Sequence, residues 1–252
     1  MNNLFLSLSV AGCILAGGIV GMRAFERLPS GHQSRETIDA VKLGAGMLSV
    51  LASLVLGLLI ATAKTTHDGT DTAMRGYAAE LMLLDETFRD YGDEAAVPRG
   101  LLRQFTLRLL ADYWPEEGTG AGEVPAGRLL EQVRETTRAL APVDAGQTWL
   151  RDQALSINVG LLRQRFLLIE NAGPSVSPVI LGILVVWITF IFATFGMSAP
   201  RNATVVVSFV ICALAIGGAV FMILEMDEPL RGVMKISNWP IVNALGHMPA
   251  GK

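Results

Sequence analysis

The sequence predicts an all-α integral membrane protein with four transmembrane helices and a helical soluble insert between helices two and three. Three observations carry this. Of 252 residues only 43 are charged, 20 Lys and Arg against 23 Asp and Glu. Those charges are absent from four blocks, residues 1–22, 43–63, 171–200 and 202–224. A hydrocarbon core about 30 Å thick takes roughly 20 helical residues at 1.5 Å each, and every block is long enough. Between the second and third blocks apolar residues recur at steps of three and four, and no stretch alternates as a strand would.

The same figures exclude several function classes. An ordinary soluble enzyme does not carry four such blocks. A net charge of −3 excludes a basic nucleic-acid binder. The two cysteines, Cys13 and Cys212, both lie inside apolar blocks, which excludes a disulfide scaffold.

The first helix is expected over about residues 3–22. Asn2 and Asn3 supply no basic n-region and the apolar run exceeds a typical signal sequence, so it reads as a retained span. Gly17 and Gly21 form a GxxxG step suited to close helix packing. The second helix, 43–63, completes a first membrane pair (1–63) and is expected to project into water as far as Tyr91. There Tyr77, Leu81, Leu84, Phe88 and Tyr91 make one apolar stripe.

Residues 64–173 form the expected soluble helical domain. Leu102, Phe105, Leu109 and Tyr113 mark a helix stopped by Trp114 and Pro115, and Leu130, Val133, Thr137 and Leu140 a shorter one behind a loop at 117–122. Leu150, Ile157, Leu161 and Leu162 belong to the last, opened by the N-cap Asp144 and closed by Asn171, Gly173 and Pro174. The second membrane pair, 174–226, has helices at about 177–198, starting on Ser177 and Pro178, and 203–226, joined closely enough to form a hairpin. The tail, 227–252, is expected to carry a short interfacial helix with Trp239, Ile241, Val242 and Leu245 at the membrane surface.

No catalytic, metal or cofactor site is predicted: His32, His67 and His247 lie far apart, and nucleotide-binding, GxSxG, HExxH and CxxC motifs are absent. His67 with Asp68 and Asp71 reads as a self-paired exposed face, since Lys64 with Asp68 and Asp71 with Arg75 are spaced as helix ion pairs.

Two features stand out. In the second helix Ala45, Ser49, Ser53, Gly57 and Ala61 place a small residue at every fourth position. Such a ladder serves either close helix packing or a pore wall with room and modest wetting, and spacing alone favours packing. After the fourth span, Glu225, Asp227 and Glu228 read as caps and ion-pair partners, with Arg231 one turn away, or alternatively as a cation site near the membrane surface. The insert, 64–170, holds 12 basic and 17 acidic residues; lining an ion entrance, it would concentrate cations. Basic residues near the span ends number six on one side and five on the other, so charge does not set the orientation.

Several strings resemble the bestrophin-like domain family, which is related in architecture to bestrophin ion channels. The carriers are Leu54, Gly57 and Leu58 running into a helix with Ala79 and Glu80, Pro178 with Trp187, and the run Asp227, Glu228, Pro229, Leu230, Arg231, Gly232. The resemblance implies four membrane helices, a cytoplasmic helical domain, and a ring of subunits whose second helices surround an ion path. On that reading the ladder moves from packing towards pore lining. The second helix lacks the aromatic triplet of a bestrophin neck, and the three acids are fewer than in the bestrophin calcium-binding run.

The expected function is a homo-oligomeric ion channel of the inner membrane with lipid and inorganic ions as partners and no nucleic acid. The alternative is a non-conducting scaffold or accessory subunit that docks a partner through its helical domain. An enzyme is not expected.

Overall fold

The structure is a computed structural model that describes residues 2–24, 34–115, 125–170, 175–230 and 232–248. The expected loop at 117–122, the helix stop at 171–174 and Arg231 lie outside the described residues. The helices are α1 (Asn2–Ala24), α2 (Arg35–Tyr91), α3 (Ala96–Tyr113), α4 (Ala126–Arg138), α5 (Ala145–Glu170), α6 (Pro178–Ser198), α7 (Ala203–Asp227) and α8 (Trp239–His247). There is no strand among the described residues. The chain divides into two compact units, 1–67 with 174–235 and 68–173 with 236–252, and α2 contributes to both.

Among the described residues four helices are long and apolar enough to cross a membrane, and the first unit contains them: α1, α6, α7 and the apolar part of α2. Their shared core includes Ile14, Ala52, Leu59, Leu184, Ile188 and Val220. Their outer faces are equally apolar, with Phe5, Leu54, Leu58, Val186 and Ile211 exposed. Water would penalise that arrangement, whereas lipid accepts it. Lipid also removes the hydrophobic drive between helices, so close backbone contact must hold them. The glycines provide it. A Cβ on Gly17 would lie 2.7 Å from Thr189 Cγ2, a Cβ on Gly21 would run into the Ala193 carbonyl, and one on Gly196 into the Gly18 carbonyl. The GxxxG step of α1 therefore seats α6. At the start of α7, Val205 N–H donates to Asn202 Oδ1 at 2.9 Å, an N-cap that ends the α6–α7 turn.

In the second unit the α2 stripe is the core: Tyr77, Leu81, Leu84, Phe88 and Tyr91 are all buried, with Leu102, Phe105 and Leu109 of α3 and Leu130 and Val133 of α4. The Tyr77 and Phe105 rings lie 6.4 Å apart. Burial pushes the Tyr77 phenol well above its ordinary value, with Arg165 opposing. Gly92, at φ +115°, turns the chain from α2 into α3, a backbone conformation that glycine adopts without a Cβ penalty. Arg99 then returns to Asp85 through two hydrogen bonds of 2.7 and 2.9 Å. At the start of α5, Gln147 N–H donates to Asp144 Oδ1 at 2.7 Å, the N-cap its sequence suggests.

The tail forms the expected short helix, with one face packed on protein. Ile241, Ala244 and Met248 are buried and Leu245 half-buried, while Trp239 and Val242 face outward. The Thr106 hydroxyl of α3 lies 3.7 Å from Met248 Sδ, and Trp114 Nε1–H donates to the Ile236 carbonyl at 3.1 Å. Steps of three and four from Ile241 fall on one helix face. That face is occupied by protein, which leaves Trp239 and Val242 as the outward pair.

Candidate functional site

The small-residue ladder of α2 does not form one straight face. A step of four residues turns an α-helix by about 400°, so each rung drifts about 40° from the one before. Ala45, the first rung, is buried at 1 % exposure in the core of the membrane unit, and Ser49 is half-buried. Ser53, Gly57 and Ala61 are exposed, and a Cβ on Gly57 would meet nothing within 4 Å. The residues of α2 that pack inward are instead Ala45, Ala52, Leu59 and Ala63. Their spacings of seven and four keep one direction, which spacings of four alone do not.

The ladder thus divides between two jobs. Its upper end lets α2 approach the core; the remainder faces away from it. Two rungs carry hydroxyls, the half-buried Ser49 and the exposed Ser53. Ser49 Oγ–H donates to the Ala45 carbonyl and Ser53 Oγ–H to the Ser49 carbonyl, each at 2.8 Å. Spending the hydroxyl hydrogen on the preceding turn makes serine tolerable in an apolar span and leaves oxygen lone pairs free. On the other outward side stand Met47, Leu51, Leu54 and Leu58, all bulky and exposed. Exposed Val50 stands about 20° from both Gly57 and Ala61, and Leu54 about 20° from Ala61, so the small-residue side and the bulky apolar side adjoin without a sharp border.

The acidic group after α7 is arranged differently from a shared cation cage. Glu225 and Asp227 are 3 % and 6 % exposed, whereas Glu228 is exposed. Each buried carboxylate closes a different segment. Glu225 Oε2 accepts Val233 N–H at 2.5 Å and Met234 N–H at 3.4 Å, and its Oε1 accepts the Asn3 side-chain amide at 3.1 Å. Asp227 Oδ1 accepts Ser175 N–H at 2.8 Å, Val176 N–H at 3.1 Å and the Ser175 hydroxyl. Buried carboxylates are stable only when their lone pairs are filled, and here backbone donors fill them. Gly232, at φ +82°, completes the turn that brings its neighbours' amides to Glu225, and a Cβ there would collide with the carboxylate.

Neighbouring charges are used locally. Asp71 accepts Arg75 Nε–H at 2.8 Å, and the His67 ring lies 3.0 Å from the Met234 carbonyl. Among the described residues no three His, Cys, Asp or Glu side chains gather in a way that could hold a metal ion. Sequence reasoning picked out Glu225 and Asp227 but missed Asn3, Ser175 and Gly232, which complete their hydrogen bonding. Asn3 is 222 residues from Glu225 and Ser175 is 52 from Asp227, so no local pattern joins them. A glycine five residues after the helix end was the one available signal.

With this geometry in place, comparison with known proteins gives one consistent result. The family model described as "Bestrophin-like domain" matches residues 12–241. A crystal structure of a point variant of a bacterial bestrophin homologue from Klebsiella pneumoniae superimposes with a TM-score of 0.68 at 12% identity, over 96% of this chain and 97% of that one. A second variant of that homologue gives 0.67 at 12% identity, over 98% of each chain. A crystal structure described as a membrane protein gives 0.65 at 12% identity, over 96% of each chain. No curated protein matches the sequence.

Proposed function

Because the chain belongs to the bestrophin-like domain family, we propose that this membrane protein is a homo-oligomeric ion channel of the inner membrane. In this reading α2 faces the ion path and the charged helices stand on the cytoplasmic side. The observation that carries it is the outward position of Ser53, Gly57 and Ala61. A membrane helix gains nothing in lipid from an exposed hydroxyl beside a bare glycine, whereas a path for ions needs both room and polarity. The bulky side with Met47, Leu51, Leu54 and Leu58 suits lipid or a neighbouring subunit's helix. Ala45 and Ser49, turned into the protomer, set the helix against its own core, so the wall of the path begins at Ser53.

Family membership also supports a transport function rather than catalysis. Inorganic ions and membrane lipid are the implied partners. The test is ion flux through liposomes containing Ser53→Leu or Gly57→Leu. Flux should fall at least tenfold with the oligomer unchanged in size; normal flux through both variants removes α2 from the path. A wild-type protein that forms no ring and passes no ion would instead be a scaffold, docking a partner through its charged helices.

A further inference from the structure

The second unit holds a titratable contact that the channel reading does not use. Glu80 lies on α2 three residues beyond Tyr77, and its carboxylate rests against α5 between Gly160 and Gln164. Gln164 Nε2–H donates to Glu80 Oε1 at 2.6 Å. The other oxygen of each group, Glu80 Oε2 and Gln164 Oε1, is shut off from solvent and has no hydrogen-bond partner. Both are acceptors when Glu80 is ionised, so two buried lone-pair sites go unfilled. Such orphans are costly, and a single proton satisfies both at once.

Gly160 makes the seat. A Cβ at that position would stand 3.0 Å from Glu80 Oε2 and 3.5 Å from its Cδ. A glycine inside a helix costs roughly 0.5–1 kcal/mol relative to alanine, and the room it leaves is occupied by the carboxylate. Tyr77 on α2 is the titratable group coupled to Glu80, and Tyr113 on α3 and Arg165 on α5 act in turn on Tyr77. Arg165 lowers both phenols, while burial raises them by more.

From this juxtaposition we infer that Glu80 and Gln164 form a proton-operated latch: the protonated acid closes a two-hydrogen-bond ring with the carboxamide and clamps α2 to α5. On protonation the Glu80 Oε2–H bond donates to Gln164 Oε1 while Gln164 Nε2–H keeps its bond to Oε1. On deprotonation the first of these bonds is lost and the ring opens. Burial pushes the Glu80 carboxyl above its ordinary value of 4.5. A group raised in the folded state contributes stability that is complete below its unfolded value and is lost as pH rises through the folded one. Acid therefore tightens the latch and alkali loosens it.

The test is thermal unfolding of the full-length protein in nanodiscs from pH 4 to pH 8, compared with Glu80→Gln. Glutamine is the neutral isostere and pairs with Gln164 at every pH. The wild-type midpoint should fall relative to that of Glu80→Gln by at most about 3 °C per pH unit, since part of the group meets solvent. Parallel profiles overturn the latch, as does a Glu80→Gln protein equally destabilised at every pH. If Glu80→Gln fails to fold, infrared difference spectra of wild type and Gln164→Leu decide. A protonated-carboxyl band titrating above the ordinary value and shifted by Gln164→Leu supports the latch, and its absence refutes it. Neither readout passes through ion flux, so the outcome is independent of the channel reading.

Discussion

Replacing Gly232 with alanine should unfold the turn after α7 through a carboxylate seven residues earlier in the chain. Two terms contribute. The backbone at φ +82° is one that L-residues enter at a cost of roughly 1–2 kcal/mol. The new Cβ would also collide with Glu225 Oε2. Glu225 must then withdraw from Val233 N–H, Met234 N–H and the Asn3 amide. Hydrogen bonds to a charged group contribute about 1.5–3 kcal/mol each, but the carboxylate is the mobile end of its side chain and can keep part of them. Losing the equivalent of one such bond brings the total to about 2.5–5 kcal/mol, or an apparent midpoint lower by about 5–20 °C.

The assay is thermal unfolding in lipid nanodiscs for Gly232→Ala, Glu225→Ala and the double variant. Because part of the alanine penalty acts through Glu225, the double variant should be at least about 1 kcal/mol more stable than the sum of the two single losses. Gly218→Ala is the control, since a Cβ at Gly218 meets nothing within 4 Å; it should be neutral or slightly stabilising. Strict additivity, or equal losses at positions 218 and 232, would refute the linkage between the turn and the carboxylate.

Further expectations concern other joints. Gly21→Leu should prevent folding or cost more than about 3 kcal/mol, because its side chain enters the Ala193 carbonyl, whereas Gly12→Ala, with open space around it, should be tolerated. Recovery of monodisperse protein distinguishes them, and equal recovery would contradict the α1–α6 crossing. Asp85→Ala strands the Arg99 side chain, which is 23% exposed, and should lower stability by about 2 kcal/mol, less than for a fully buried pair. Arg99→Lys, which keeps the charge but not the fork, should lose a smaller part of that, as denaturant titration would measure.

What was legible in the sequence follows from what acts locally. The four spans were visible because lipid demands long uncharged runs. The stripe from Tyr77 to Tyr91 and the Asp144 cap were visible because helical period and capping are decided within a few residues. The ladder was only half legible. Counting by fours from Ala45 treats the helix as straight-sided, while its 3.6-residue turn carries Ala45 into the core and Ala61 away from it. The acids of α7 were visible as charges but not as acceptors, since their donors on Asn3, Ser175 and the backbone of 233–234 arrive from elsewhere in the fold. The tail showed the same limit. Its apolar residues suit a membrane surface or another helix equally well, and nothing local shows that Met248 meets Thr106 across 142 residues.

The measurement that bears most directly on the place of α2 is cysteine accessibility. Cys13 and Cys212 are both free and exposed, so they are first replaced with alanine. Single cysteines are then placed at Ser53, Gly57, Leu54 and Leu58, and flux through liposomes is followed while a charged, membrane-impermeant thiol reagent is added. Block at Ser53→Cys and Gly57→Cys with none at Leu54→Cys and Leu58→Cys is the expected result. Block on the leucine side alone, or at neither pair in a protein that conducts, would contradict an ion path along α2.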